Sequence, residues 1–204
     1  MDGIPKSALL VTPHPDDAEG GCGGTVARWI DGGCEIVYVL CTNGDKGTGD
    51  PEMTSTKLAT IREREQLEAA QVLGVKEVIF LRHPDGTLED SPEFRSEVVR
   101  SIRQHRPEVV MCMDPYRSRS HTHRDHRVSG QVAIDAVCTF AWRPMYFPKQ
   151  ILKDLLQPHL AREIYLWGSE DPDTYVDISG FVDLKVDTLK KHASQISDPS
   201  GRGD

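Results

Sequence analysis

Apolar positions along the chain fall into short, dense runs separated by longer stretches with helical spacing. Ala8–Thr12, Glu35–Thr42, Glu77–Leu81 and Glu108–Met113 read as strands, because they are rich in β-branched and apolar residues and lack polar alternation. Turn residues such as Gly33 and Asn43-Gly44 bound them. Between and after them, helices are predicted near Gly23–Asp31 and over Thr56–Leu73, Ser91–His105 and Asp125–Thr139. In the second helix Leu58, Ile61, Leu67, Ala70 and Leu73 share a face, and Gly74 supplies a stop. Strands that are apolar throughout and alternate with helices imply a three-layer α/β fold, a mostly parallel sheet with helices on both faces. The last third is less regular. Ala141-Trp142-Arg143-Pro144 breaks the pattern, Glu163–Trp167 and Thr174–Ile178 predict extra C-terminal strands, and Phe181–Ser194 predicts a helix. With no repeat and no linker, residues 1–197 form one domain, and Asp198–Asp204, lacking an apolar anchor, is expected to fray.

Parallel sheets of this kind bind ligands beyond the carboxyl ends of their strands. Polar clusters follow the first, second and fourth strands (Pro13–Gly24, Asn43–Gly49 and Asp114–Arg127), so all three can meet at one edge. The first holds His14-Pro15-Asp16-Asp17 and the last His121-Thr122-His123-Arg124-Asp125-His126. Catalytic zinc takes three protein N/O ligands and keeps an open position, which an imidazole and a carboxylate from the first cluster and an imidazole from the other would satisfy. Two adjacent carboxylates further suggest divided labour, one on a metal and one free to take a proton from water. Each piece alone is weak: His83-Pro84-Asp85-Gly86 repeats the His-Pro-Asp turn elsewhere in the chain.

Composition narrows the field. A formal net charge of −8 with scattered basic residues argues against a general nucleic-acid binder. No apolar run approaches the roughly 20 residues that a membrane span needs. Met1–Lys6 lacks the features of a signal peptide, so a cytoplasmic protein is expected. The five cysteines form no Cys-x-x-Cys pair and read as reduced, mostly buried thiols.

His14-Pro15-Asp16-Asp17-Ala18-Glu19 followed by Gly23-Gly24-Thr25 resembles the opening signature of the PIG-L/LmbE-like deacetylases. His123-Arg124-Asp125-His126 resembles their second signature. Thr42–Gly47, Arg62–Glu65, Leu73-Gly74-Val75, Pro84–Gly86 and His192–Gln195 are similar to further family segments, so the resemblance spans nearly the whole chain. It implies a Rossmann-like fold, one zinc ion, and removal of N-acetyl groups from N-acetylglucosamine-type sugars and their small-molecule conjugates. It further implies His14, Asp17 and His126 as metal ligands, and Asp16 as general base. His123 would be a protonated stabiliser of the tetrahedral intermediate, oriented by Asp125. Arg62, Asp85 and Arg143 would be substrate contacts. Ferrous iron or cobalt would suit the same ligands. The stretch Asp114–His121, with Arg117, Arg119 and His121, departs from the glycine-rich lead-in of many relatives, which leaves the exact substrate open; self-association is open too.

Other readings fare less well. Gly20, Gly21, Gly23 and Gly24 do not make a dinucleotide fingerprint, since Val26 would stand where its last glycine belongs. A silent sugar-binding module would not need Asp16 or His123, and both are present. A zinc hydrolase of a non-sugar amide or ester remains the main alternative. His192 reads as a packing or solvated residue on a helix face, and His105, His159, Trp142 and Trp167 as structural or surface residues.

Overall fold

The computed structural model describes residues 3–120 and 122–196, so the expected tail and His121 lie outside the described residues. Five strands alternate with helices: β1 (Ser7–Thr12), α1 (Asp17–Asp31), β2 (Glu35–Thr42), α2 (Ser55–Leu73), β3 (Glu77–His83), α3 (Pro92–His105), β4 (Val109–Met113), α4 (Arg124–Asp135), α5 (Pro148–Leu152), β5 (Glu163–Trp167), α6 (Val182–Leu189) and α7 (Ala193–Ile196). The sheet order is β3-β2-β1-β4-β5, and each neighbouring pair is parallel. On one face Leu9, Val11 and Val39 pack with Phe94, Val98 and Ile102 of α3 and Val132 of α4. On the other, Leu10, Ile36 and Tyr38 pack with Val26, Ala27 and Trp29 of α1. The chain runs outward from β1 to β3, then crosses to β4 on the other side of β1. The carboxyl ends of β1 and β4 therefore flank the point where the topology reverses, the position at which such sheets open a crevice.

The N-terminal two-thirds follows the sequence pattern, with two refinements. The first helix starts at Asp17 rather than near Gly23, which puts the second carboxylate of His14-Pro15-Asp16-Asp17 in its first turn. The helix from Arg124 widens into a π-helical turn over Ala136–Phe140.

The C-terminal third corrects the sequence reading. Thr174–Ile178 is irregular, not a strand, so β5 is the one extra strand among the described residues. Its alternating apolar residues seat on α1 instead: a Cβ at Gly24 would lie 2.5 Å from Ile178 Cδ1, so only glycine admits this approach. Arg28 Nη1 of α1 donates to Asp177 O at 2.5 Å. The helix predicted over Phe181–Ser194 is two, α6 and α7, with His192 between them.

Buried Arg103 explains the break after Phe140. It donates from Nε to Ala141 O, from Nη2 to the carbonyls of Phe140, Arg143 and Tyr146, and from Nη1 to Gln150 Oε1. One guanidinium thus ties the turn together: it adds a second donor to the carbonyls of Phe140, Ala141 and Arg143, which backbone amides also serve, and supplies the Tyr146 carbonyl. Arg103→Ala is expected to cost on the order of 3 kcal/mol of unfolding free energy, because a buried side chain and its charge-assisted hydrogen bonds to this turn are lost together. A urea titration checks this; a loss under about 1 kcal/mol would show that water replaces the guanidinium.

Candidate active site

β1 ends at Thr12, and the chain turns over the sheet edge through Pro13-His14-Pro15-Asp16 before entering α1. His14, from this turn, meets Asp17 in the first turn of α1 and His126 in the first turn of α4, whose N-terminus follows the loop beyond β4. His14 Nδ1 lies 3.0 Å from Asp17 Oδ2, His126 Nε2 lies 3.3 Å from the same oxygen, and His126 Nε2 lies 3.2 Å from His14 Nδ1. Arms of ~2.0–2.2 Å in tetrahedral array hold donor atoms roughly 3.3 Å apart, so this triangle could hold a zinc ion. A looser set, in which His123 joins His14 and His126, keeps its donor atoms within 4.8 Å of one another.

Behind the triangle, His14 Nε2 lies 3.1 Å from Asp85 Oδ1 and 3.2 Å from Asp125 Oδ2. Such carboxylates fix the tautomer, keeping the proton on Nε2 and turning the Nδ1 lone pair toward the other donors. Burial works to lower the His14 pKa, but hydrogen bonds to Asp125, Asp17 and Asp85 outweigh it and raise it well above the usual value. Burial alone would raise Asp17, yet hydrogen bonds with His126 and His14 hold its carboxyl well below the usual range. Asp85 is pulled down to about 2, with burial opposing and the His14 hydrogen bond prevailing. Carboxylates converging on imidazoles in a buried crevice make a pocket built for positive charge.

Asp16 stands apart from the triangle. At φ 89° it adopts a left-handed backbone, and although it occupies the N-cap of α1, its side chain does not cap. A non-glycine residue there costs about 1–3 kcal/mol, held by surrounding contacts. Burial pushes its carboxyl up to about 7, against the opposing pull of Arg62. Arg62 Nη2 donates to Asp16 Oδ2 at 3.3 Å and to Pro15 O at 2.7 Å, and Nη1 donates to Gly44 O at 3.1 Å. Gly44 has φ 61°, and a Cβ there would meet the Arg62 guanidinium at 2.3 Å, so both its conformation and its contact require glycine.

The expected substrate contacts therefore change place. Arg62 is buried beneath the Pro15-Asp16 turn, where it braces the site and offers little to a substrate. Asp85 is also buried, with its carboxylate on His14 and the Lys46 amide. Arg143 is exposed and lies over the Trp142 ring at 4.4 Å, beyond the far end of the helix that His126 begins. A helical run from residue 126 to 140 is roughly 20 Å long, too far for Arg143 to reach the His14 crevice.

Asp125 also differs from its expected role. Its carboxylate accepts from the amides of Gly86 (2.7 Å) and Leu88 (3.1 Å) and faces His14, while its own amide donates to His123 Nδ1 at 3.2 Å. A ring nitrogen that accepts this bond carries no proton, so neutral His123 is an Nε2–H donor. Burial and the neighbouring His14 lower its pKa, in place of the charged imidazolium expected from sequence.

Three features escaped the sequence reading. Arg117 Nη2 lies 3.2 Å from His126 Nδ1, on the side opposite the triangle. Glu170, just after β5, accepts from the amides of Ser118, Arg119 and Ser120 and so pins the loop that leads into α4. His192, read as packing or solvated, is fully buried, and the missed feature is its neighbour: Nε2 lies 3.4 Å from Glu19 Oε2. Long-range contacts of this kind carry no local sequence signal, apart from the family-like run His192–Gln195.

The sequence profile of the PIG-L family, described as GlcNAc-PI de-N-acetylase, matches residues 9–137. That span holds both signature turns and most of the sheet. The chain belongs to the PIG-L family. Among PIG-L relatives, a diacetylchitobiose deacetylase of Thermococcus kodakarensis is 36% identical over 190 residues, covering 93% of this chain and 70% of that protein. The solved N,N'-diacetylchitobiose deacetylase of Pyrococcus horikoshii superposes with a TM-score of 0.89 at 35% identity, covering 95% of this chain and 72% of that one. GalB, a 4-carboxy-2-hydroxymuconate hydratase of Pseudomonas putida, superposes with a TM-score of 0.78 at 25% identity, covering 93% of this chain and 80% of that one. The relatives named as deacetylases act on N-acetylglucosamine-type compounds, while the hydratase shows that one scaffold hosts more than one reaction. No helix among the described residues is long and apolar enough to cross a membrane.

Proposed function

We propose that this chain is a zinc-dependent hydrolase that removes the N-acetyl group from an N-acetylglucosamine-type sugar or a small conjugate of one. The observation that carries the reading is the His14–Asp17–His126 triangle beside a second carboxylate, Asp16, that the triangle leaves uncommitted. Zinc bound there would supply a Lewis acid and lower the pKa of a water from about 15.7 toward about 7. Asp85 and Asp125 keep His14 in the tautomer that presents Nδ1. Asp16 takes the proton of the attacking water and returns it to the departing amine. His123 donates its Nε2–H to the acyl oxygen as negative charge develops there, a neutral form of oxyanion stabilisation. Ferrous iron or cobalt would suit the same donors. The buried free thiols Cys22, Cys34, Cys41 and Cys112 fit a reducing compartment, and work in the cytoplasm is part of the proposal.

The test is acetate release by metal-loaded protein from N-acetylglucosamine, diacetylchitobiose and simple acetamides. Equal amounts of acetate and free amine from the sugars are expected. Turnover of the simple acetamides alone would favour the non-sugar amidase. The hydratase relative makes water addition to a conjugated acid the second assay to run; activity there without acetate release would overturn the deacetylase reading.

The pH profile follows from Asp16. A base works ionised, so kcat/KM should fall as pH drops through its pKa, which burial brings up to about 7. Arg62 holds that value down, and a cation on the neighbouring donors would hold it lower still. Arg62→Gln removes this pull and should move the acidic limb to higher pH. A limb unmoved in that variant would assign it to another group.

A further inference from the structure

We infer that Gln66 is a positioning residue for Asp16, kept in its working orientation by Glu19; this rests on the reading of Asp16 as the base. The left-handed backbone of Asp16 is not self-sustaining, since the residue makes no side-chain cap. The peptide between Pro15 and Asp16 is gripped at both of its polar ends. Arg62 Nη2 donates to the Pro15 carbonyl at 2.7 Å, and the Asp16 amide donates to Gln66 Oε1 at 3.3 Å. Arg62 and Gln66 lie one turn apart on α2, so a single helix face sets the direction of this peptide, and with it the aim of the carboxylate.

An amide side chain is nearly symmetric in shape, and only its far partner decides which end points where. For Gln66 that partner is Glu19: Gln66 Nε2 donates to Glu19 Oε1 at 2.9 Å. A carboxylate only accepts, so it selects the NH2 end and leaves Oε1 for the Asp16 amide. Glu19, Gln66 and His192 are all fully buried. His192 Nε2 lies 3.4 Å from Glu19 Oε2 without a hydrogen bond between them, so the imidazole borders the carboxylate's other oxygen but does not direct it. The segment that follows His192 is fastened to α2 and the loop after β2: the Ser194 amide and hydroxyl donate to Glu65, and Gln195 Nε2 donates to Gly47 O at 3.1 Å. The hydrogen-bonded line thus runs from Glu19 of α1 through Gln66 of α2 to the backbone of Asp16, with no step through the metal donors.

The test uses the metal-loaded full chain. Gln66→Glu sets two carboxylates 2.9 Å apart and is expected to lower kcat by about 10–100-fold, with KM and metal content little changed. Glu19→Gln combined with Gln66→Glu reverses donor and acceptor along the line and should restore kcat to within about threefold. Introduced into Asp16→Asn, Gln66→Glu should cause no further loss, because its effect acts through a base that is already gone. Should Gln66→Glu fail to fold, Gln66→Met removes the acceptor at similar volume and carries the same expectations, the reversed pair aside. Unchanged kcat in the single variants, an unrescued reversed pair, or a full-sized loss in the Asp16→Asn background would each overturn the inference. Failure of the underlying reading looks different: Asp16→Asn would itself be active.

Discussion

Asp16→Asn is expected to lower kcat by about 10²–10⁴-fold, the range in which a positioned general base contributes, while metal content and KM stay close to those of the parent. The substitution keeps the shape of the side chain and one acceptor for Arg62, so the Pro15-Asp16 turn should survive. It removes the group that takes the proton. Asp16 is separated from the triangle by its backbone as well as its side chain, because its φ of 89° turns the carboxylate out of the helix that begins with Asp17. Elemental analysis beside steady-state kinetics reads both outcomes at once. If Asp16→Asn loses its metal and Asp17→Asn keeps it, the two carboxylates have exchanged roles; if Asp16→Asn turns over at the parent rate, the proton goes elsewhere.

His126→Ala should show the complementary pattern, with metal content near zero and turnover abolished. Two donors cannot replace three in a catalytic site that must also leave a position open. Removing His126 also takes from Asp17 a partner that helps to hold its carboxyl ionised. His123→Ala is the control, because His123 lies outside the tight triangle. It should keep its metal and lose rate alone, by about 10²–10³-fold if its N–H serves the developing oxyanion. Full occupancy in His126→Ala together with metal loss in His123→Ala would make His123 the third donor, as the looser group of nitrogens allows.

The strands and the crevice were legible in the sequence because both depend on local pattern. Glu35–Thr42 is a strand in sequence and in structure since a fully buried parallel strand needs an unbroken apolar run, and this chain has one. His14, Asp17 and His126 come together because each directly follows a strand of the central pair or opens the next helix. Thr174–Ile178 misled because β-branched alternation states that one side is buried without saying against what; α1, not a neighbouring strand, covers it. Arg143 misled because a short motif gives no position in space. Gln66 was invisible as a site residue because its surroundings are supplied by α1 and by the segment around His192, both remote in sequence. Asp125 was found as a residue and missed in its role, since the direction of a carboxylate depends on the amides of Gly86 and Leu88.

The loop before α4 is tied down at its tip by one residue, Glu170, which gathers three consecutive amides. The donors of the crevice are braced from α1, α2 and the β3–α3 turn, and the loop reaches them at Arg117, whose Nη2 lies 3.2 Å from His126 Nδ1. Beyond Arg117, rim and floor are mechanically separate. A protein engineer could exchange residues 118–120 for the corresponding stretch of a relative, keeping Arg117 in place and a carboxylate at 170 as the mooring, and alter which sugars enter without retuning the hydrolytic centre. The same separation gives natural variation a place to act: drift in this short stretch can redirect substrate range while the chemistry beneath it is inherited intact.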